Sequence, residues 1–421
     1  MVFYFTDILG PDIFKICTTK NMNELNKKKS VFSEEDQKYM KLAIKFAWKG
    51  RGKTNPNPMV GAVIVKEGRI ISQGYHRQVG LAHAEIEAIN NSTESLDNSA
   101  MYVTLEPCTL HGKTLPCCSE IIKHKFKKII VGCIDPNPRI NGRGIEFLKK
   151  AGINVKIGLF EDKIMLQNEV FFKQIKTKIP FICCKIASSI DGKLAARSSD
   201  SKWITSEKSR KQVQNLRKEY GCVLTGINTV LTDDPFLIPR KIPGDSPKTI
   251  YAVRGRKFYR VILDSNLRIA SNPGINIIKT SGLAKTIIFT ENKNNSGFYK
   301  RVKELQKKNL DVLTVGKDPL RGTGLDILKI LKILYRKYEI TSILLECGPV
   351  LLGSFLKRGL IDKFIFFFAP RILGGDSNYG MFPGLEINRI KDSINLKFEK
   401  VKRIGNDIIV TAYPLKNKKH R

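Results

Sequence analysis

The sequence of 421 residues has no uninterrupted apolar run of the roughly eighteen residues that a membrane-spanning helix needs. It also lacks the basic N-terminal region of a secretory signal, since its first apolar stretch, MVFYFTDILGPDIFK, carries Asp7 and Asp12. Acidic residues are scarce, because 39 Asp and Glu stand against 73 Lys and Arg and give a net charge of +34. These absences argue against a membrane protein and predict a cytoplasmic one.

The excess of positive charge is spread over the whole chain. The lysine-rich stretches NELNKKKS, KHKFKK, ENKNN and LKNKKHR lie far apart, and no stripe interleaves them with aromatic residues. We therefore expect no nucleic-acid partner, although the charge suits small anionic ligands. The nine cysteines are an odd number without a signal sequence, which favours metal-binding or catalytic thiols in a reducing compartment over disulfides.

The length exceeds what one hydrophobic core usually serves, so two domains are expected. Residues 1–33 resemble a basic extension. Over residues 34–178, strand patterns alternate with helix patterns, which is typical of an α/β layer with a mostly parallel sheet. The pattern restarts at Pro180, which predicts a second α/β domain over residues 179–421.

Local signals predict several individual elements. Ser33 can cap a helix over SEEDQKYMKLAIKFAWKG, and Glu67–Gly68 can form the turn of a strand pair in MVGAVIVKEGRIISQGYH. SEKSRKQVQNLRKEYG predicts a serine-capped helix that Gly221 ends. CVLTGINTVLTDDP predicts a short strand that runs into a loop, and KFIFFFAPRIL and DIIVTAYPL predict apolar strands near the C-terminus.

The most informative residues are His83 and Glu85 in AHAE, together with two Pro-Cys pairs that contain Cys108 and Cys117. A hydrolytic zinc site needs three protein ligands, an open position and a base beside the bound water. His83, Cys108 and Cys117 can supply the ligands, and Glu85 can carry the proton. The base-deaminase signature H-x-E…P-C-x-x-C fits in its first half, but eight residues separate the two cysteines here. The spacing alone does not decide between Cys117 and Cys118.

This set of residues predicts hydrolytic deamination of an amino-heterocycle. Zinc lowers the pKa of a bound water, which can then attack the amidine-like carbon, while Glu85 moves a proton to the ring nitrogen and the leaving ammonia. His111 lies between the cysteines and is a candidate for lining the substrate pocket. His76 and His124 are not needed as ligands.

The second half contains no G-x-G-x-x-G, so a Rossmann domain is not supported. SSIDGKLA and LTGINTVLTDDPFLIPR are strand-to-loop transitions rich in small and acidic residues, where binding groups commonly lie. ECGPVLLGSF is a strand–glycine–helix junction whose helix amides could hold a phosphate. Each signal is weak alone, and together they favour a nucleotide-dependent enzyme.

Longer motifs resemble one family. TNPNPMVGAVIV, AHAE, YVTLEPC, HGKTLPCC and DPNPRINGRGIEFLKKAGI are similar to the deaminase half of the bifunctional riboflavin-biosynthesis deaminase–reductases. KIASSIDGKLA, DSKWITSEKSR, LRKEYGCVLTGINTVLTDDP, RVILDSNLR and LLECGPVLLGSFLKRGLIDKFIFFFAPRILGG resemble the reductase half, so the match covers about residues 35–412. The resemblance implies an α/β protein with a cytidine-deaminase-like three-layer domain, then a dihydrofolate-reductase-like domain. It also implies Cys117, the first cysteine of the pair, as the zinc ligand.

The implied function is two consecutive steps of riboflavin synthesis with Zn²⁺ and NADPH as cofactors. The first is deamination of 2,5-diamino-6-ribosylamino-4(3H)-pyrimidinone 5′-phosphate, and the second is reduction of its ribosyl chain to give 5-amino-6-(5-phosphoribitylamino)uracil. The resemblance places NADPH contacts at Ala187, Trp203, Thr229, Asp233, Ser265, Gly348, Pro349, Val350, Leu351, Leu352, Gly353 and Ser354. It places substrate contacts at Ser201, Arg217, Arg240 and Glu346. Two arginines and a serine hydroxyl suit a ribose phosphate.

Three positions depart from the family pattern. Leu110 stands where the family has a histidine, Leu115 replaces a proline, and Cys347 replaces the middle glycine of Glu-Gly-Gly. Leu110 and Cys347 are the basis for one alternative, a non-catalytic homologue that only binds ligand. A nucleic-acid base deaminase is the other alternative, favoured by the charge and opposed by the wide cysteine spacing and the second domain. We also expect a homo-oligomer.

Overall fold

The computed structural model describes residues 31–110, 116–198, 200–240, 257–319, 322–375, 380–385 and 387–415. Most of the expected basic extension lies outside these residues, as do His111 and Leu115. The chain divides into two compact units between Lys178 and Ile179. Among the described residues, no helix has both the length and the apolar composition needed to cross a bilayer.

The N-terminal unit is built on one five-stranded sheet. Its strands are β1 (Gly61–Lys66), β2 (Arg69–Tyr75), β3 (Ala100–Leu105), β4 (Lys128–Cys133) and β5 (Asn154–Ile157). Its helices are α1 (Glu34–Ala47), α2 (Ala84–Asn90), α3 (Cys117–Lys123), α4 (Arg143–Lys150), α5 (Glu161–Gln167) and α6 (Glu169–Thr177). The strand order is β2-β1-β3-β4-β5.

The expectation of a mostly parallel sheet holds for strand direction in this unit, because β2, β3, β4 and β5 point the same way and β1 alone of the five described strands is reversed. β1 is antiparallel to both of its neighbours. The reason is the predicted turn at Glu67 and Gly68, which both have positive φ and join β1 directly to β2. A two-residue turn of this kind forces an antiparallel pair.

Helices cover both faces of this sheet. A Cβ atom at Gly61 would collide with the backbone of Ala43 in α1, and one at Gly74 would collide with Ala84 in α2. Gly74 lies opposite Ala62 in the register, so Gly61 and Gly74 point to opposite faces. The two helices therefore pack on opposite sides, which gives three layers. α1 begins as expected, with a capping box in which Ser33 accepts from the amide of Asp36.

The C-terminal unit is built on a nine-stranded sheet. Its strands are β6 (Phe181–Ser189), β7 (Cys222–Gly226), β8 (Tyr259–Leu263), β9 (Lys285–Thr290), β10 (Leu310–Thr314), β11 (Ser342–Leu345), β12 (Lys363–Ala369), β13 (Leu396–Ile404) and β14 (Asp407–Pro414). Its helices are α7 (Glu207–Tyr220), α8 (Ile227–Asp233), α9 (Asn276–Lys279), α10 (Ser296–Lys307), α11 (Ile327–Tyr338) and α12 (Pro349–Leu356). The strand order is β10-β9-β8-β7-β11-β6-β12-β14-β13.

The strands from β10 to β12 run parallel, and β14 and β13 close the sheet as an antiparallel pair. Apolar side chains of β6, β11 and β12 pack against α11 and α12 in one continuous core. α7 is capped by Ser206 and ended by Gly221 in the left-handed region, as its sequence predicts. The carboxyl ends of the central parallel strands share one edge, where ligands of open α/β sheets usually bind.

Two local expectations are wrong in this unit. The stretch after Gly226 was expected to continue as strand and loop, but INTVLTD forms α8. Gly226 is the N-cap of that helix, and Ile227 and Val230 are buried on one face, so tertiary packing overrides the β propensity of this stretch. The sequence predicts no strand at β13. This strand lies at the edge of the sheet and its side chains are mostly exposed, so its sequence shows no alternation of apolar and polar residues.

Candidate active sites

The N-terminal unit brings His83, Cys108 and Cys117 together. His83 Nδ1 lies 3.2 Å from Cys117 Sγ and 3.6 Å from Cys108 Sγ. All three ligand atoms lie within 4.8 Å of one another. Ligand atoms around a tetrahedral zinc ion are about 3.5–3.8 Å apart for nitrogen and sulfur donors. One nitrogen and two sulfurs at this spacing therefore fit zinc and leave a fourth position for water or substrate.

The fold explains why these residues meet. His83 is the N-cap of α2, and Cys117 is the first residue of α3, directly after Pro116. Cys108 follows the carboxyl end of β3, and its Sγ accepts a hydrogen bond from the amide of Cys117 at 3.4 Å. The amino ends of two helices thus face the loop that leaves β3. Helix amino ends stabilise negative charge, which suits thiolate ligands.

Without a metal, the ligand cluster holds a protonated imidazole, one thiolate and one thiol, so metal binding must displace the protons of His83 and Cys117. A hydrogen bond from Cys117 lowers the pKa of Cys108 to about 4. The hydrogen bond with Cys108 raises the pKa of His83 to about 9. The interaction with Cys108 also raises the pKa of the Cys117 thiol, so the two sulfurs share one negative charge. A divalent metal is the group that would let both sulfurs ionise.

Glu85 lies beside this cluster, in the first turn of α2. Its side chain is 3% exposed, and burial raises the pKa of the carboxyl to about 7. The charges of His83 and Cys108 also act on it, so the carboxyl is close to the ligands. A carboxyl that exchanges its proton near neutral pH is suited to general acid–base work.

Cys118 lies outside the cluster of ligand atoms. Its thiol donates to Pro107 O at 3.3 Å and to Gly144 O at 3.7 Å, and its side chain is buried. It therefore ties the loop that carries Cys108 to the start of α4. This geometry separates the two adjacent cysteines, which spacing alone could not do.

We expect the Cys117→Ala variant to lose the zinc that the wild-type protein carries, because it removes one of three ligands. The Cys118→Ala variant is the matched control, since it removes the neighbouring thiol and leaves all three ligands in place. Metal content by atomic emission checks both variants. Zinc at the wild-type level in Cys117→Ala, or its loss from Cys118→Ala alone, would contradict the ligand assignment.

Two residues beside the zinc cluster were not singled out for binding in the sequence. Asn57 Nδ2 lies 3.3 Å from His76 Nε2, while His76 Nδ1 lies 3.1 Å from Ala82 O. The amide of Asn57 can only donate there, so His76 is neutral with its proton on Nδ1, in line with the burial that lowers its pKa. The His76 ring packs edge-on against His83, with centroids 5.4 Å apart. His76 therefore fixes the orientation of a ligand without being one.

Glu106 is a further residue near the zinc cluster that the sequence analysis does not single out. Its Oε2 accepts from Asp135 N at 3.1 Å and Gly142 N at 2.9 Å, and its Oε1 accepts from Gly144 N at 2.9 Å. These bonds anchor the loop before α4 against the segment that contains Cys108. The signal that could have found it is its place in LEPC, two residues before a ligand.

In the C-terminal unit, Arg217 and Glu346 form a buried bidentate ion pair. Arg217 Nε donates to Oε1 at 2.7 Å and Nη2 donates to Oε2 at 3.0 Å. Lys185 in β6, which sequence reasoning missed, lies 3.7 Å from Glu346 Oε2. Burial opposes ionisation of Glu346, but these two cations hold the pKa of its carboxyl below the usual value. Arg217, Lys185 and Glu346 together therefore carry a net positive charge at the carboxyl edge of the parallel strands. Arg217 Nη1 takes no part in the ion pair with Glu346.

Other predicted residues meet at the same edge. Ser201 Oγ donates to Asp233 Oδ1 at 3.3 Å, and a Cβ atom at Gly348 would lie 3.7 Å from Thr229 Oγ1. Gly348 is the N-cap of α12, so the amino end of that helix faces α8. The junction is lined by backbone amides and small side chains, an arrangement that suits a dinucleotide phosphate.

The remaining predicted residues are more dispersed. Trp203 is 54% exposed, and the Arg210 guanidinium lies over its ring at 4.5 Å. The carbonyl of Ser265 accepts from Thr290 Oγ1 at 3.2 Å, and Ala187 lies within β6. Leu352 is buried in the core of the unit, so only its backbone is available to a cofactor, whereas Cys347 packs against the core and stays partly exposed. The other members of the predicted α12 set are Pro349, Val350, Leu351, Gly353 and Ser354, all within one helix.

Both units match known families. Residues 33–133 match the cytidine and deoxycytidylate deaminase zinc-binding region, and residues 180–410 match the RibD C-terminal domain. With the His/Cys/Cys cluster, this defines a zinc-dependent deaminase joined to an NADPH-dependent reductase, and the predicted fold class and both cofactors are confirmed. Its relatives are named riboflavin biosynthesis protein RibD. The chain is 40% identical to the Aquifex aeolicus protein over 90% of this chain and 98% of that one. It is 35% identical to the Escherichia coli protein over 89% and 98%.

Solved structures agree over the same extent. Acinetobacter baumannii RibD has a TM-score of 0.76 and 34% identity, covering 91% of this chain and 99% of that one. A Thermotoga maritima diaminohydroxyphosphoribosylaminopyrimidine deaminase/5-amino-6-(5-phosphoribosylamino)uracil reductase has a TM-score of 0.74 and 32% identity, covering 90% and 99%. The chain belongs to the RibD family of bifunctional deaminase–reductases of riboflavin biosynthesis. This confirms the predicted function over a nucleic-acid base deaminase and over a non-catalytic homologue.

Proposed function

We propose that the N-terminal unit, residues 34–178, deaminates 2,5-diamino-6-ribosylamino-4(3H)-pyrimidinone 5′-phosphate, and that residues 179–421 then reduce its ribosyl chain with NADPH. The observation that carries this proposal is the pairing of two distinct sites in one chain. One is a His/Cys/Cys cluster with a buried carboxyl beside it. The other is a buried cationic cluster at the edge of a parallel sheet.

In the deamination, His83, Cys108 and Cys117 hold the zinc ion. Zinc bound there supplies a water that is activated for attack at neutral pH. Glu85 would accept a proton from water and pass it to the ring nitrogen, and it would then carry a second proton to the amino group that leaves as ammonia. Burial keeps the pKa of Glu85 near 7, so that the carboxyl can both accept and return the proton.

In the reduction, the nicotinamide of NADPH supplies the hydride, and the protein binds and orients the two reactants. The amino end of α12 and the side chains of Thr229, Asp233 and Ser265 hold the cofactor. Ser201, Arg240 and the cluster of Arg217 with Glu346 hold the ribosyl phosphate. The net positive charge of that cluster suits a phosphate dianion.

The assembly is a homo-oligomer in this proposal. Phe398 is 66% exposed and Val401 is 59% exposed on β13, which is the outermost strand of the sheet among the described residues. An exposed apolar strand edge favours pairing with another chain, here a second copy. Sedimentation equilibrium checks this, and a monomer at micromolar concentration contradicts it.

The cytoplasm is the proposed compartment. Eight cysteines of the described residues are all free thiols, which is typical of a reducing environment. We propose that the net positive charge of the protein attracts small anionic substrates and not nucleic acid. Binding of a duplex or single-stranded oligonucleotide with a steep salt dependence would contradict that part of the proposal.

The proposed function is tested by a steady-state assay that follows ammonia and NADPH separately. With the diaminopyrimidine substrate alone, we expect ammonia release and no later step. When NADPH is added, we expect one NADPH oxidised for each ammonia released, because the second unit consumes the product of the first. Ammonia release that is never followed by NADPH oxidation would contradict the reductase half, and tight substrate binding without ammonia would contradict the deaminase half.

A further inference from the structure

The segment from Asp234 to Arg240 borders both ligands of the proposed reductase site. Asp233, the predicted cofactor residue, precedes it, and Arg240, the predicted substrate residue, ends it. Asp234 closes α8 in the left-handed region, with φ of 41°, and its amide donates to Val230 O at 3.1 Å. The chain leaves α8 at this residue, so whatever holds the segment also sets the position of the residues at its two ends.

The first anchor of the segment is Asn276, the first residue of α9. Its backbone amide donates to Asp234 Oδ1 at 2.7 Å. Its side-chain amide donates to Asp234 Oδ2 at 2.9 Å and to Asp234 O at 2.8 Å. Three hydrogen bonds between two residues that lie 42 positions apart in the chain form a specific clamp, and two of them use the charged carboxylate, which strengthens them.

The second anchor is Arg260, the second residue of β8, which is fully buried. Its Nη2 donates to the carbonyl of Ile277 within α9 at 3.0 Å and to that of Thr280, the C-cap of α9, at 3.1 Å. Its Nη1 donates to Phe236 O at 3.2 Å, inside the segment itself. These acceptors are uncharged, and burial lowers the pKa of the guanidinium to about 10, so it remains a cation at neutral pH. One arginine therefore binds both α9 and the segment that α9 clamps.

The anchored segment in turn supports Arg240. The Arg240 guanidinium lies over the Phe236 ring, 5.0 Å from its centroid. The amide of Arg240 donates to Gln214 Oε1 at 3.1 Å, on the same helix that carries Arg217. A continuous set of contacts thus runs from Arg260 through Phe236 to Arg240.

We propose that Asp234 and Arg260 act through α9 as positioning residues that fix this segment and place Asp233 for the cofactor and Arg240 for the substrate phosphate. The inference rests on the proposed reductase site. Neither residue is among the predicted substrate and cofactor contacts, so we expect their loss to affect binding of both ligands and to leave deamination unchanged.

The test uses the full-length protein and the variants Asp234→Ala, Asn276→Ala and their combination, because a variant of the buried Arg260 could fail to fold. We expect each single variant to raise KM for NADPH and for the deaminated substrate by about tenfold, the effect of losing a pair of charge-assisted hydrogen bonds, with kcat within about twofold of wild type. The double variant loses all three bonds of the clamp, but we expect its KM to rise by less than the product of the two single effects, because both substitutions remove the bond between Asn276 Nδ2 and Asp234 Oδ2. Asp234→Asn keeps an acceptor for the amide of Asn276 and restores part of the affinity.

Asp326→Ala is the matched control. Asp326 caps α11 in the same unit by accepting from Lys329 N at 3.0 Å, and its loss removes a comparable cap away from the segment. Hydrogen exchange of peptide 234–240 gives a second readout that needs no reductase activity, and we expect faster exchange in Asp234→Ala than in Asp326→Ala. Unchanged exchange and KM in Asp234→Ala, or equal changes in the control, overturn the proposal. If the wild-type protein oxidises no NADPH but Asp234→Ala still exchanges faster than Asp326→Ala, the clamp is supported and the reductase assignment is wrong.

Discussion

Replacing Glu85 by glutamine will stop ammonia release while NADPH-dependent reduction of the deaminated substrate continues at the wild-type rate. Glutamine keeps the size of the side chain but cannot accept a proton from water. Loss of a general acid–base residue typically lowers the rate by about 100- to 10,000-fold. The reduction is unaffected because it takes place in the other unit. Ammonia release and NADPH oxidation, each measured with its own substrate, check the two halves of this result.

Glu87→Gln is the control for this experiment, because Glu87 is a buried carboxylate in the same helix. It accepts from the amide of Tyr75 at 3.1 Å and pairs with Arg77, so it faces away from the sulfur ligands. We expect ammonia release within about threefold of wild type in this variant, as for substitutions outside the reacting groups. Both variants should retain zinc. Ammonia release at the wild-type rate in Glu85→Gln would show that another group carries the proton.

The helices and strands that the sequence predicts correctly are those with a local signal. Ser33 and Ser206 cap their helices through hydrogen bonds within three residues, and Glu67–Gly68 forms a turn from its own backbone preference. Where the outcome depends on distant packing, the prediction is wrong. The residues after Gly226 favour a strand locally, yet they form a helix because Ile227 and Val230 are buried on one side.

The candidate sites follow the same division. HAE and the two Pro-Cys pairs predict a metal site because they combine residue types that few structural roles require together, but the choice of Cys117 over Cys118 depends on the family resemblance. The roles of Lys185 and Glu106 were not predictable, because each contacts residues far away in sequence. Arg217 and Glu346 were assigned separately to substrate, but they bind each other across 129 positions of the chain. Spacing in a sequence cannot show such a pair, and only the parallel strands that bring β11 beside β6 and β7 create it.

That ion pair carries the second large effect. Replacing Glu346 by glutamine will abolish the reduction, by at least about 100-fold, and leave ammonia release unchanged. Without the carboxylate, the Arg217 and Lys185 cations lie beside one another, 9% and 19% exposed, with no compensating charge between them. Removing one partner of a buried ion pair costs about 3–5 kcal/mol. We expect one of the two cations to move out of the site, because this relieves part of that cost. Steady-state reduction of the deaminated substrate checks the loss.

Two further variants and a melting temperature distinguish loss of the reductase site from loss of the fold. Glu304→Gln, an exposed carboxylate of α10 in the same unit, should reduce at the wild-type rate. Arg217→Lys keeps a cation opposite Glu346 but cannot form the bidentate pair, so an intermediate loss is expected, with KM rising more than kcat falls. A melting temperature near that of wild type in Glu346→Gln, together with lost reduction, assigns the effect to the site. Reduction at the wild-type rate in that variant would show that the cluster serves only the fold, because loss of the carboxylate that positions Arg217 for the ribosyl phosphate is expected to lower turnover.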